Sequence, residues 1–253
     1  MKVTAIKTGK IRPFLPAQAG EGSLFSILDK NLKKMRENSV LAITSKIVSL
    51  CEGSFVKAGG GKERLIKSEA DLYIPRKLSK YKIMFTIKNN ILICSAGIDE
   101  SNTGGYYVLW PKDPQKTANE VRKYLAKRFK LKKVGVIITD SRTTMMRKGT
   151  LGVALSHSGF ASLTSYIGKP DIFGRKLKMT KSSIIDGLAA SAVLIMGEGD
   201  EQTPLAIIED LPFVKFQANN PSKKELKMLS IPLGDDLYAP MLKAVKWRKG
   251  KKK

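Results

Sequence analysis

The sequence is poor in metal-binding soft ligands. It has two cysteines and one histidine in 253 residues. Cys51 and Cys94 lie far apart and form no CxxC pair, so with His157 alone they cannot build a standard zinc site. Both sit in or beside apolar runs and read as reduced core thiols. No apolar stretch approaches the roughly 20 residues that a spanning helix needs. The N-terminus, Met1 to Lys7, has basic residues but no apolar core, so it is not a secretory signal. A cytoplasmic protein with no membrane contact is expected. No internal repeat is visible. Acid is also scarce, with 22 Asp+Glu against 46 Lys+Arg and a net charge of +24. That excess attracts polyanions such as nucleotides, polycarboxylates and nucleic acid, but supplies no chemistry by itself.

What is present is an ordinary globular pattern, 42% hydrophobic and 27% charged. Leu41-Ala42-Ile43-Thr44 reads as a buried strand, and Lys46 to Ser49 either continues it or opens a helix. Residues 57–69, with Gly59-Gly60-Gly61 and many charges, read as a mobile loop. The same glycines with Lys62 look like a phosphate loop, but the GxxxxGK[ST] spacing is missing. Residues 82–86 and 91–94 pattern as two strands joined at Asn89-Asn90. Thr117 with Glu120 has capping-box spacing, and Val121, Tyr124, Leu125 and Phe129 follow at helical intervals. Val134 to Ile138 is a near-continuous apolar run, as in a strand covered on both faces. A second helix begins near Thr180 or Ser182, carries Ile184, Leu188 and Ala192 on one row, and stops at Gly197. Leu205 to Ile208 is a further strand. The lysine-rich end is expected to fray or bind a partner surface.

Three acidic stretches follow these elements. They are Asp99-Glu100-Ser101-Asn102, Asp140-Ser141 and Glu198-Gly199-Asp200-Glu201. A carboxylate just past a buried strand is rigidly held and faces the crevice at the strand ends, a usual place for ligands. Magnesium and manganese take oxygen ligands, typically a few carboxylates with phosphate oxygens and water. Asp, Asn, Ser and Gly are also what ordinary turns contain, so spacing alone leaves both readings open.

At these residues the sequence resembles the coenzyme F-420 gamma-glutamyl ligase family. Ser95-Ala96-Gly97-Ile98-Asp99-Glu100-Ser101-Asn102 is similar to its AGIDxSN motif, and Gly135 to Ser141 to its GVIITD[TS] motif. Arg147-Lys148-Gly149, Gly152-Val153-Ala154 and Ser158-Gly159 resemble the next segment. Tyr166-Ile167-Gly168, Asp171, Phe173-Gly174-Arg175 and Thr180 resemble the one after. Met196-Gly197-Glu198-Gly199 through Thr203-Pro204 is similar to the last, and Ser45 to Gly53 resembles the upstream KIVSKxEG element. The motifs stand in family order over roughly residues 40 to 210.

The resemblance implies an α+β fold of mixed and antiparallel sheets with packed helices. It implies a single ligase unit over residues 1–240, made of two intertwined lobes, with a basic tail at 241–253, assembled as a homodimer. It implies GTP or ATP as co-substrate with Mg2+ or Mn2+, and L-glutamate joined through a gamma-linked amide to an anionic small molecule, coenzyme F-420-0 or a folate. By matched position, Asp99, Asp140, Ser141 and Glu198 would hold metal. Ser45, Lys46, Asn102, Met196, Gly197, Gly199 and Thr203 would contact the nucleotide. Lys46 and Arg147 are the candidates for neutralising phosphate or substrate carboxylate. Phosphoryl transfer activates a carboxylate for attack by an amine, and it is driven by positioning and charge neutralisation.

Two positions depart from the pattern. Leu50 stands where the KIVSKxEG element carries a second lysine, and Ser156 where a glycine precedes the Ser-Gly pair. The missing cation weakens phosphate contacts or shifts nucleotide preference. A nucleic-acid- or ribosome-associated role through the basic tail, and glutamate addition to a protein side chain, are the alternative readings. His157 is read as a structural or solvated residue.

Overall fold

The computed structural model describes residues 1–12 and 22–250. Its first lobe is built on a five-stranded sheet in the order β1 (Lys2–Ile6), β12 (Leu205–Glu209), β2 (Ser39–Thr44), β8 (Val134–Thr143) and β9 (Thr150–Ser158). Only β2 and β8 pair in parallel. The other neighbours are antiparallel.

Alternation along the strands decides the layers. Leu41, Ile43, Val136, Ile138 and Leu205 face one side. There they meet Leu28 of α1 (Leu24–Asn31), Val48 of α2 (Ser45–Glu52) and Leu125 of α4 (Pro114–Arg128). Val40, Ala42, Ile137, Ala206 and Ile208 face the other side, against Leu188, Ala189 and Ala192 of α5 (Ile184–Met196). The central strands are therefore covered on both faces, which is why their sequences are apolar without a polar alternate.

The second lobe carries a four-stranded sheet in the order β13 (Arg248–Lys249), β4 (Leu72–Tyr73), β5 (Phe85–Lys88) and β6 (Ile91–Cys94). Helix α3 (Lys62–Glu69) and the pair β3 (Phe55–Lys57) and β7 (Tyr106–Val108) complete it. Its own core contains Ile66, Met84, Ala96, Ile98 and Tyr107. The β5–β6 hairpin turns at Asn89 and Asn90, both at positive φ (49° and 62°), the geometry that matches strand twist in a two-residue turn. A two-stranded arm, β10 (Leu163–Ser165) with β11 (Lys181–Ser183), carries residues 166–180 between its strands. Two short helices, α6 (Lys223–Lys227) and α7 (Ala239–Lys243), precede β13.

The architecture is the expected α+β one, with mixed and antiparallel sheets, but several local expectations are corrected. Residues 57–69 are not a single loop. Gly61 opens α3, an amphipathic helix that buries Ile66. Helix α4 starts three residues before Thr117, because Asp113 caps it through Lys116 N and Pro114 fits its first turn. Ser183, rather than Thr180 or Ser182, caps α5. Strand β8 does not stop at Ile138 but continues to Thr143, so Asp140 lies within a strand. Asp171 accepts the amides of Phe173 and Arg175, both at 2.9 Å, and so closes its own turn. The boundary placed at 240/241 cuts through α7, and β13 adds to β4 rather than fraying. Residues 251–253 of the expected tail lie outside the described residues. No helix among the described residues is long and apolar enough to cross a membrane.

Candidate functional site

The parallel pair β2 and β8 ends in register, Thr44 beside Thr139. A cleft of about 470 Å3 opens at these carboxyl ends, where ligands collect in sheets with parallel strands. Helix α2 starts at this point. Its N-cap, Thr44, makes no side-chain cap hydrogen bond, so the first N–H groups of the helix are left for a ligand. That arrangement favours an anion.

Asp140 reaches the cleft from β8. A register shift between Ile138 and Thr139 immediately precedes it, and such irregularities re-aim the side chains that follow. Its Oδ2 accepts from Trp110 Nε1, and its Oδ1 accepts from Ser141 N at 2.9 Å. Burial pushes its carboxyl up to about 6. The Trp110 and Ser141 hydrogen bonds pull the other way, and the Asp99 charge adds to the rise.

Asp99 lies on the other wall, held by a reciprocal backbone bridge to Val108. Its Oδ2 pairs with Lys46 Nζ at 2.6 Å, and its Oδ1 accepts both the N and Oγ of Ser101 at 2.8 Å. Burial raises the Asp99 carboxyl, but Lys46 and Ser101 outweigh it and hold the group below its ordinary value. Lys46 Nζ also donates to Ser101 O at 3.0 Å.

Glu198 follows the end of α5. Its Oε1 accepts from Ser141 Oγ at 2.7 Å. Asn102 Nδ2 donates to Gly199 O at 2.8 Å, tying the second lobe to the loop after α5. Thr203 Oγ1 donates back to Met196 O and closes that loop.

The fold thus brings Asp99, Asp140, Ser141, Glu198, Ser45, Lys46, Asn102, Met196, Gly197, Gly199 and Thr203 to one lining. It does not bring Arg147 there. Arg147 stands exposed in the turn between β8 and β9 and is not among the residues that line the cleft. Leu50 lines the cleft with 2% exposure, an apolar wall at the position of the absent cation. Sequence reasoning missed Lys10 and Arg12, which line the cleft from the segment after β1. Nothing in their local pattern marks them. They arrive because β1 pairs with β12 and Thr8 N bonds Gln202 O.

Among the described residues no three His, Cys, Asp or Glu side chains already form a metal cluster. Asp99 is turned to Lys46, Asp140 to Trp110 and Glu198 to Ser141. The donor chemistry nevertheless fits a hard divalent cation. All the donors are oxygens, and Asp140 is an enclosed carboxylate beside the like charge of Asp99.

The chain matches the family model described as F420-0:Gamma-glutamyl ligase over residues 20–210. The chain belongs to the F420-0:gamma-glutamyl ligase family. A coenzyme F420:L-glutamate ligase of Methanococcus maripaludis strain C6 is 35% identical over 198 residues, 70% of this chain and 78% of that protein. The protein of the same description from Methanopyrus kandleri is 33% identical over 197 residues, 70% and 77% of the two chains. That of Methanocaldococcus jannaschii is 40% identical over 139 residues, 54% and 55%. Family membership makes the chain a ligase. The three ligase motifs around Asp99, Asp140 and Glu198 are the ones that meet in the cleft.

Proposed function

We propose that the protein joins the amine of L-glutamate to a carboxylate of an anionic acceptor as an amide, using a nucleoside triphosphate and a divalent cation in this cleft. One observation carries the reading. Three carboxylates and Lys46 converge at the ends of the parallel strands, beside an uncapped helix N-terminus. A triphosphate needs this combination of amides and cations on one side and oxygen ligands for a bridging ion on the other.

In this reading the N–H groups opening α2 and the Lys46 ammonium receive phosphate oxygens. Lys10 and Arg12 add positive charge from the facing segment, where Leu50 supplies none. Asp99, Asp140 and Glu198, with Ser141, would hold Mg2+ or Mn2+, which neutralises charge on the transferring phosphoryl group. The acceptor carboxylate oxygen attacks the γ-phosphorus, and the nucleoside diphosphate leaves. The glutamate amine then attacks the resulting acyl phosphate, the amide C–N bond forms, and inorganic phosphate departs. For Lys46 to serve phosphate, its pairing with Asp99 must loosen as the metal takes that carboxylate.

The acceptor is read as the deazaflavin precursor F-420-0, in line with the description of the family model above. A homodimer is supported by apolar side chains left in water on and near the arm. Ile172 is 91% exposed and Phe173 87%, an unfavourable state for a free surface.

The test is a mass-resolved acceptor screen with labelled glutamate, Mg2+ or Mn2+, and GTP or ATP in separate arms. Incorporation into F-420-0 that requires nucleotide and metal is expected. Incorporation into a folate alone would move the acceptor assignment. Failure with every acceptor would end the ligase mechanism drawn here.

A further inference from the structure

Trp110 lies between β7 and α4, behind the cleft lining, with 4% of its surface exposed. Its Nε1–H donates to Asp140 Oδ2, while Ser141 N occupies Oδ1. A carboxylate has about four lone-pair sites, so each oxygen keeps one for the cleft. The carboxylate end of an aspartate turns easily, since its last torsion is broad. Two donors, one on each oxygen, remove that freedom.

The indole is itself held on two sides. Its edge lies against Gly97, where a Cβ would stand 2.1 Å from Nε1. Only glycine lets the ring come this close, which gives the glycine of the Ala-Gly-Ile-Asp motif a physical task. Over the ring face stands Lys88, its Nζ 5.3 Å from the centroid. Lys88 is 8% exposed and is pinned by Glu69 at 2.9 Å. Gly97, Lys88 and Glu69 all belong to the second lobe, whereas Asp140 belongs to the large sheet.

We propose that Trp110 is a positioning residue: it fixes the rotation of the Asp140 carboxylate so that the free lone pairs meet a divalent cation in the cleft, and it ties that rotation to the second lobe. The inference rests on the metal-dependent reading given above. An indole suits the task because it only donates. It cannot take the metal itself, and it leaves Asp140 anionic. Partners of this kind, one shell behind a ligand, typically change metal affinity by about 10–100-fold when removed.

The chain has two tryptophans, so the 15N-indole spectrum holds two resonances, and loss of one in Trp110→Phe assigns them. Trp247, whose Nε1–H donates to Leu242 O at 2.7 Å, is the internal reference. Substoichiometric Mn2+ should broaden the Trp110 signal away while Trp247 persists, and Asp140→Asn should move the Trp110 signal and abolish the broadening. Trp110→Phe keeps a ring but loses the donor. Its Mn2+ affinity, read from the electron paramagnetic resonance of free Mn2+, should fall about tenfold or more, with the thermal unfolding midpoint near that of the parent. If the parent protein binds no Mn2+, the metal reading and this inference fall together. If the parent binds, Asp140→Asn loses binding and Trp110→Phe binds as tightly as the parent, the positioning role is overturned and the metal site stands. Should Trp110→Phe not fold, Trp247→Phe assigns the two resonances instead, and a Trp110 signal indifferent to Asp140→Asn overturns the proposal.

Discussion

Replacing His157 by Phe should make the protein markedly less sensitive to acid. His157 lies in β9 with 0% exposure. Neither ring nitrogen has a hydrogen-bond partner among the described residues. Burial lowers its pKa to about 4, and the Glu225 charge and the Phe160 main chain offset this only in part. An unfolded histidine titrates near 6.5. Between these values the unfolded chain therefore takes up a proton that the folded chain refuses. Stability falls as pH drops through 6.5 and levels off below 4. Linkage gives a loss of about 2 kcal/mol between pH 7 and pH 4.5 from this one group. Phe should fit beside the Phe160 ring, 5.2 Å away, and has no proton to gain. Urea unfolding of both proteins at the two pH values reads the difference directly. Because the chain has one histidine, its imidazole proton resonance can also be titrated without assignment. Equal pH dependence in the two proteins, or a native imidazole titrating near 6.5, would mean that His157 is not held neutral by burial.

Other expectations follow from packing and burial. Gly152 of β9 faces α5, where a Cβ would lie 2.4 Å from the Ala189 carbonyl oxygen. Gly152→Ala should cost about 2 kcal/mol or more in urea unfolding, since helix backbone cannot step aside; a neutral result would mean that β9 and α5 are not this close. Burial pushes the Cys51 thiol up to about 12, with the Glu52 charge adding to the rise. It should therefore stay unmodified by iodoacetamide at pH 8 in the native protein and react on unfolding, and rapid native labelling would contradict the burial. Charged substitutions at Ile172 and Phe173 should yield a folded monomer by light scattering if the arm seals a homodimer, and an unchanged assembly state would remove the arm from that role.

Much of the fold is written in local patterns. The period-two alternation of Leu41, Ile43, Val136 and Ile138 against Val40, Ala42 and Ile137 identifies a sheet covered on both sides. The two asparagines at 89 and 90 mark their hairpin because few other residues accept positive φ there. Local pattern fails where a distant partner decides. Residues 62–69 are polar and follow three glycines, so they look like a loop. They become α3 because Ile66 finds a core with Met84 and Tyr107. The continuation of β8 past Ile138 depends on pairing with β9, since Asp140, Ser141 and Arg142 have no strand signature of their own. Likewise the short strand near the C-terminus exists only because β4 offers an edge. In the site, the carboxylates are legible as motif residues. Their partners are not. Lys10, Arg12 and Trp110 come from segments with no motif and are placed by strand order and lobe contact. Arg147 shows the converse, a motif residue in the β8–β9 turn that does not line the cleft.

Under the proposed function, the carboxylates of this cleft support nucleotide-driven glutamate ligation. The most direct measurement compares the parent with Asp140→Asn for incorporation of labelled glutamate into F-420-0, at saturating Mg2+ and nucleotide. The substitution keeps the shape and a carbonyl acceptor but removes the anionic oxygen that a divalent cation requires. Incorporation by the parent and a loss of about a hundred- to a thousandfold in the variant are expected, comparable to removing a principal source of electrostatic stabilisation. A variant that folds and retains parental incorporation would contradict it.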